Sequence, residues 1–266
     1  MPNWTRNIMK LHLSTGLLLA AMAPAALAFQ PLVTDDTGTQ GTGGNQLEFS
    51  VNEDRAVTAG ETVRTSTLPV GYTRGLTDTI DVFIGANHTR VRSPAPGADV
   101  SGSGNPSLGA KWRFYENEQS KTSLALKPEI ALPVSAGKEA QGLGTGRTSY
   151  GLTLIVTQEV SFGAVHANLF SGRDRFRDSA GPDASITRAS IAPVWDVADK
   201  WKLALDVGLE TASAGGERTR SSFAEIGAIY SPSKDLDFAF GLIRATDNAD
   251  PSTKTTSATL GVTWRF

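Results

Sequence analysis

The chain has 266 residues, with 25 Lys and Arg against 27 Asp and Glu, a formal net charge of −2. It contains no cysteine, which excludes disulfides, thiolate metal sites and a cysteine nucleophile. Without a basic excess it makes no case for nucleic acid as a partner, and a slightly negative mean hydropathy excludes a bundle of membrane helices. That hydropathy does not exclude a barrel, in which only every second strand residue meets lipid.

Arg6 and Lys10 form a short basic region ahead of a mostly apolar stretch from Leu11 to Ala28. The stretch closes on Ala26-Leu27-Ala28, an A-x-A site, and reads as a secretory signal peptide over residues 1–28. An anchor helix is the competing reading, but Pro24 interrupts a run already short for spanning. Cleavage after Ala28 removes 28 of the 266 residues and leaves 238. It also removes Arg6 and Lys10, so 23 basic residues face 27 acidic ones and the net charge becomes −4.

Beyond the signal peptide the dominant period is two, the period of a strand with one apolar and one polar face. Leu47, Phe49 and Val51 make the first run, Leu68, Val70 and Tyr72 the second, and Ile80, Val82, Ile84 and Ala86 the third. Leu108 to Phe114, Leu124 to Leu132, Tyr150 to Val156 and Val165 to Leu169 follow, then Ala189 to Trp195, Trp201 to Leu209, Ala224 to Tyr230 and Leu236 to Leu242. The chain ends on Leu260-Gly261-Val262-Thr263-Trp264-Arg265-Phe266, a twelfth run. Short turns are expected at 74–78, 116–120, 159–161, 197–200 and 231–235. Longer polar segments at 53–62, 92–104, 134–146, 171–184, 211–220 and 245–254 alternate with them. Twelve is even, and alternating short and long connections match short periplasmic turns and long outer loops. Pro128 and Pro193 fall inside proposed strands, so either a bulge or a shifted boundary is expected at each.

Tyr72, Trp112, Phe114, Trp195, Trp201, Tyr230, Trp264 and Phe266 lie near the short-turn ends. Amphipathic rings prefer the headgroup level, so these residues are expected to form an aromatic girdle on the periplasmic side. A soluble protein rarely ends on an exposed Trp-x-Phe pair, whereas an outer-membrane barrel closes on such a strand. Phe266 is expected to be read by the barrel-assembly machinery, and outer-membrane lipid is the expected surrounding.

Chemistry is sparse. After signal removal only His88 and His166 remain, and no G-x-S-x-G supports a nucleophile, so no catalytic residue, metal or cofactor is assigned. Gly142 to Gly146 and Gly102 to Pro106 are glycine-rich, but no helix follows to cradle phosphate, and both read as flexible loops. The polar strand faces are richer. Glu48, Asp81, Lys111, Arg113, Lys127, Glu129 and Arg188 share the lumen side, as do Lys202, Asp206, Glu210, Glu225, Asp237 and Arg265. Mixed signs in a barrel of this size predict a constricted, hydrated channel, with charges pairing across a narrow space. A lumen whose charges only pair and solvate, without transport, is the alternative.

Three stretches carry a resemblance. They are Gln30-Pro31-Leu32-Val33-Thr34-Asp35-Asp36-Thr37-Gly38-Thr39-Gln40-Gly41 followed by Asn45 to Glu48, then Gly104 to Phe114, then Ile229 to Asp237. Together they resemble the outer-membrane transporters associated with the meta-pathway of phenol degradation. The resemblance implies an outer-membrane barrel that admits hydrophobic or aromatic compounds, and it brings no catalytic or binding residues with it. Asp35-Asp36-Thr37-Gly38 reads as a turn, and Asp35 and Asp36 are expected to plug the periplasmic mouth against Lys and Arg of the wall.

The expectation is therefore an all-β chain: a signal peptide over 1–28, a plug segment over 29–44, and an antiparallel twelve-stranded transmembrane barrel over 45–266. It would act as a passive channel for small, aromatic or hydrophobic solutes in the Gram-negative outer membrane. An outer-membrane lipid hydrolase and a closed structural barrel are the alternatives.

Overall fold

The computed structural model describes residues 31–266, so the expected signal peptide and cleavage site lie outside the described residues. Asn45–Thr58 (β1), Glu61–Gly75 (β2) and Ile80–Arg92 (β3) open the barrel. Val100–Ser103 (β4), Ser107–Asn117 (β5) and Thr122–Ala131 (β6) follow, then a single-turn helix, Ala136–Ala140 (α1). Ser149–Val160 (β7), Gly163–Asp174 (β8), Ala184–Ala198 (β9) and Trp201–Ala214 (β10) continue the wall. Glu217–Ser233 (β11), Leu236–Asp247 (β12) and Thr253–Arg265 (β13) complete it. All pairings are antiparallel, β1 pairs with both β2 and β13, and β2 pairs with β3, so the sheet closes on itself with the start of β1 and the end of β13 on one side. Closure removes the free edges that an open sheet would present to lipid.

β4 and β5 are two pieces of one wall strand, because both pair with β3 on either side of Gly104-Asn105-Pro106. The barrel is thus twelve-stranded, with its fourth strand interrupted. At the break the Gly104 N–H donates to the Asn87 carbonyl (3.2 Å) and to Asn87 Oδ1 (3.1 Å). Pro106 brings no N–H, which suits a position where the ladder stops. Asn105 turns away to bridge the outer connections. Its Nδ2 donates to the carbonyls of Leu132 (2.6 Å) and Thr145 (2.8 Å), and its Oδ1 accepts from Thr145 N at 2.8 Å.

The outer connections differ from expectation. Segments 53–62 and 211–220 are mostly strand, closed by the two-residue turns Ala59-Gly60 and Gly215-Gly216. All four turn residues have positive φ, the backbone that lets a tight hairpin follow the strand twist. The strands continue above the apolar band because a ladder facing water can carry polar residues on both faces, so polarity marks solvent and not a loop. The long outer connections are 93–99, 132–148 and 175–183, with a shorter one at 248–252.

Neither proline produces a bulge or shifts a strand. Around Pro128 the β5–β6 register pairs Gly109 with Glu129 and resumes at Trp112 with Leu126, in step. Around Pro193 the β9–β10 register pairs Ala204 with Val194 and resumes at Val207 with Ile191, again in step. Pro69 does the same between β1 and β2. Each proline forfeits ladder bonds on one side only, and the other side holds the strand straight.

Outward residues form the apolar band, with Ile84 and Leu209 at 60% and 66% exposure. Inward, Phe83 lies against Gly109, Phe170 against Gly151, and Phe223 against Gly208, filling space where the neighbouring strand has no side chain, and Phe170 also lies against Gly172 of its own strand.

Candidate functional site

All thirteen sequence-selected charged residues lie on the inward face of their strands, buried or half-buried. Their partners differ from a wall-to-wall pattern. Arg188 on β9 meets Glu210 directly opposite on β10 at 2.7 Å, and Arg265 on β13 meets Asp237 on neighbouring β12 at 2.7 Å. These pairs run along the wall because strand neighbours are about 5 Å apart, far closer than the opposite side of the barrel. Lys202 pairs with Asp196 at 3.1 Å, and Arg113 with Glu116 at 3.4 Å while also donating to the Asp78 carbonyl.

Four of the remaining inward charges, Asp81, Lys111, Lys127 and Asp206, are met by the segment that precedes β1. Asp35 accepts from Lys111 Nζ at 3.0 Å and from Lys127 Nζ at 2.7 Å, with all three side chains at least 88% buried. Burial alone would raise the Asp35 pKa, but the two ammonium groups and their hydrogen bonds hold it below its usual value of 3.8. Lys111 also lies 3.8 Å from Asp36. Thr34 N donates to Asp206 Oδ2 (2.7 Å), and the Thr34 hydroxyl lies 2.7 Å from both Asp206 Oδ1 and Ser190 Oγ. Thr37 engages Thr157 and Ser123, and the Gln40 N–H donates to both Asp81 oxygens at 3.0 and 3.1 Å. With its amide oriented to satisfy both atoms, Asn168 accepts from Asp35 N at 2.6 Å and donates to Asp35 O at 2.9 Å.

Apolar contact and a tight backbone approach complete the seating. Leu32 packs with Ala192, Val194 and Ala204 on the inner wall of β9 and β10. Gly43 N donates to Gly75 O (3.0 Å), and Gly75 N to Gly44 O (2.9 Å). A side chain at Gly75 would strike the Gly41 carbonyl, so this position needs glycine for the segment to lie on the wall. Outside the mouth, hydrogen bonds from the Thr42 side chain and N–H hold the Asp78 carboxyl below its usual range. Residues 31–44 therefore enter the barrel and cross to several strands. Sequence reasoning singled out Asp35 and Asp36, but not Thr34, Thr37 or Gln40, whose polar character carries no signal of which wall they meet.

Among the described residues, two inward carboxylates have buried oxygens without a hydrogen-bond partner: Glu48 Oε2 and both oxygens of Glu225. Glu129 shares its inward face with Lys127. At the outer end, Glu139 of α1 accepts from Gly146 N (2.8 Å), Arg177 N (2.9 Å) and Arg177 Nη1 (2.7 Å). Burial works against that carboxylate, yet the Arg177 and Gly146 donors keep its pKa below the usual range. These bonds tie Gly142–Gly146 in place, so the glycine run read as a flexible loop is held by both its own helix and the next loop.

The eight aromatics expected to form a girdle lie toward the short-turn end. Trp112 with Phe114, Trp201 with Tyr230, and Trp264 with Phe266 have ring centroids 5.7, 4.8 and 4.6 Å apart. His166 faces inward with Nδ1 at 3.0 Å from Thr157 Oγ1. His88 faces outward, with Nε2 at 3.0 Å from Ser101 Oγ. Among the described residues, no group of three His, Cys, Asp or Glu is placed to hold a metal.

A closed, antiparallel twelve-stranded barrel with an apolar outer band and a charged interior is the architecture of outer-membrane channel structures. The chain belongs to the family described as the MetA-pathway of phenol degradation, whose model matches residues 34–266. Among solved structures it resembles the COG4313 outer membrane channel from Pseudomonas putida F1, with TM-score 0.70 and 16% identity over 88% of this chain and 100% of that one. It also resembles the translocator domain of the autotransporter NalP from Neisseria meningitidis, with TM-score 0.51 and 13% identity over 97% of this chain and 95% of that one. The β domain of the Bordetella autotransporter BrkA matches with TM-score 0.56 and 13% identity, over 84% of this chain and 100% of that one. No curated protein matches the chain.

Proposed function

We propose that this protein is an outer-membrane channel for the passive uptake of small, aromatic or hydrophobic molecules. The observation that carries the reading is the seating of residues 31–44 inside the barrel, pinned by Asp35 between Lys111 and Lys127. A segment so placed narrows the lumen and favours small solutes over a general flow of hydrophilic ones. Membership of a family described by phenol degradation supports aromatic cargo. The charged lumen residues are then pore-lining groups, the girdle aromatics anchor the barrel at the periplasmic interface, and residues 31–44 are the plug.

Liposome swelling decides between cargo classes. Proteoliposomes are expected to swell faster in small aromatic acids than in sugars of similar mass. Equal rates would remove the cargo preference, and no swelling with any solute would favour a closed structural barrel.

One contact favours a second reading, lipid hydrolysis. His88 and Ser101 lie 3.0 Å apart on the outward face, where a hydrolase acting on outer-leaflet lipid would need its nucleophile and base. A hydrolase also needs an acceptor to orient the ring, and the described residues offer His88 no further hydrogen bond. Phospholipid cleavage by the wild type, abolished in Ser101→Ala, would establish this reading. Absence of cleavage is the expected result.

A further inference from the structure

The outward wall carries a pattern that the lumen does not use. Six consecutive strands, in wall order β11, β12, β13, β1, β2 and β3, turn basic just beyond the apolar band at the outer end. Arg55, Arg64, Arg90 and Arg92 lie on β1 to β3, and Arg218, Arg220, Arg244 and Lys254 on β11 to β13. All eight are exposed on the lipid-facing side. Arg55 follows the apolar Val51 by four residues, about 13 Å along the strand, which places it at the level of headgroups.

These cations lack the partners that surface arginines usually find. No carboxylate pairs with any of the eight among the described residues, and Arg244 donates only to Thr256 Oγ1. By strand alternation Glu53 is the one carboxylate on the outward face of the six strands, and it accepts from Ser66 Oγ, while Glu61 and Glu217 are exposed at the hairpin ends with the opposite alternation. Arg55 sits directly opposite Arg64, which sits directly opposite Arg92, a row of three like charges across three strands. Like charges directly opposite on one face repel, so the row is unfavourable without an anion. The rest of the wall is different. At the same level on β4 to β10 the outward cation is Arg173, and Asp183 lies 3.5 Å from it.

We infer that this face binds a phosphorylated glycolipid of the outer leaflet, the lipid A part of lipopolysaccharide, with a phosphate over the Arg55–Arg64–Arg92 row. Guanidinium forks match phosphate oxygens bidentately, and the apolar band below receives the acyl chains. Arg90, diagonal to the row, and the cations of β11 to β13 extend the surface to a second phosphate. The inference rests on the outer-membrane reading above, with the long connections facing outward. It does not require transport.

The test is native mass spectrometry of the purified full-length mature barrel titrated with diphosphorylated lipid A and with the same lipid after phosphate removal. The wild type is expected to bind the phosphorylated form at least tenfold more tightly. The triple variant Arg55→Gln/Arg64→Gln/Arg92→Gln should lose that preference, while Lys234→Gln at the opposite, short-turn end keeps it. Equal binding of the two lipids by the wild type would overturn the proposal, and so would a folded triple variant that retains the preference. The two-lipid comparison on the unaltered protein decides the matter even if the variant fails to fold. Because no solute flux is measured, failure here leaves the channel reading standing, and a barrel that passes no solute can still bind lipid A.

Discussion

Deletion of residues 29–43 is expected to raise single-channel conductance several-fold in planar bilayers. In the intact protein Leu32 packs on the inner wall, Thr34 bonds Asp206, Asp35 bridges Lys111 and Lys127, and Gln40 caps Asp81. Removing these groups opens the lumen along the path they occupy, while the wall keeps all of its inter-strand ladders. Unchanged conductance would sink the plug.

The same contacts predict a response to acid. A carboxyl whose folded pKa is depressed contributes stability above its unfolded pKa, and loses it as pH falls through the folded value. For Asp35 the unfolded reference is 3.8 and the folded value is lower, so the seated segment holds at neutral pH and loosens below about pH 4. Conductance should rise in that window. Asp35→Asn removes the carboxylate shared by two buried ammonium groups, and losing one partner of such an ion pair costs about 3–5 kcal/mol. That variant should therefore show the raised conductance already at neutral pH.

Phe266→Asp is expected to abolish insertion while leaving export of the precursor intact. The Phe266 N–H donates to Asn45 O and the Asn45 N–H donates to Phe266 O, both at 3.0 Å, where the last strand meets the first. The Phe266 ring stacks near Trp264 and is 57% exposed, so it faces lipid at the interface. A carboxylate at position 266 puts charge where the ring was and removes the aromatic residue that we expect the assembly machinery to read. Loss of the heat-modifiable band on a gel, with processed protein accumulating in the periplasm, is the predicted outcome. Normal insertion would show that the terminal ring carries no assembly information.

Much of the barrel was legible because its physical constraint is local. A residue on a membrane strand faces either lipid or lumen, so period two assigns Leu203, Leu205 and Val207 outward and Asp206 inward without knowledge of any other strand. Strand ends were less legible. Around Arg55 and Arg220 the sequence is polar on both faces, and nothing local separates a strand in water from a loop. Pro128 and Pro193 looked like breaks because the loss of an N–H is local, whereas the intact ladder on the other side that keeps each strand in register is not.

The amino-acid order by itself determined the all-β class, the strand number, the closing Trp264-Arg265-Phe266 strand and the side on which each charge falls, since all of these follow from alternation along one strand. Only the tertiary structure decided which charges meet. Asp35 reaches Lys127 across 92 positions of sequence, and Thr34 reaches Asp206 across 172. Arg55, Arg64 and Arg92 become one row only when three strands lock into register. Closing the sheet sets those distances, and closure is a property of all twelve strands at once.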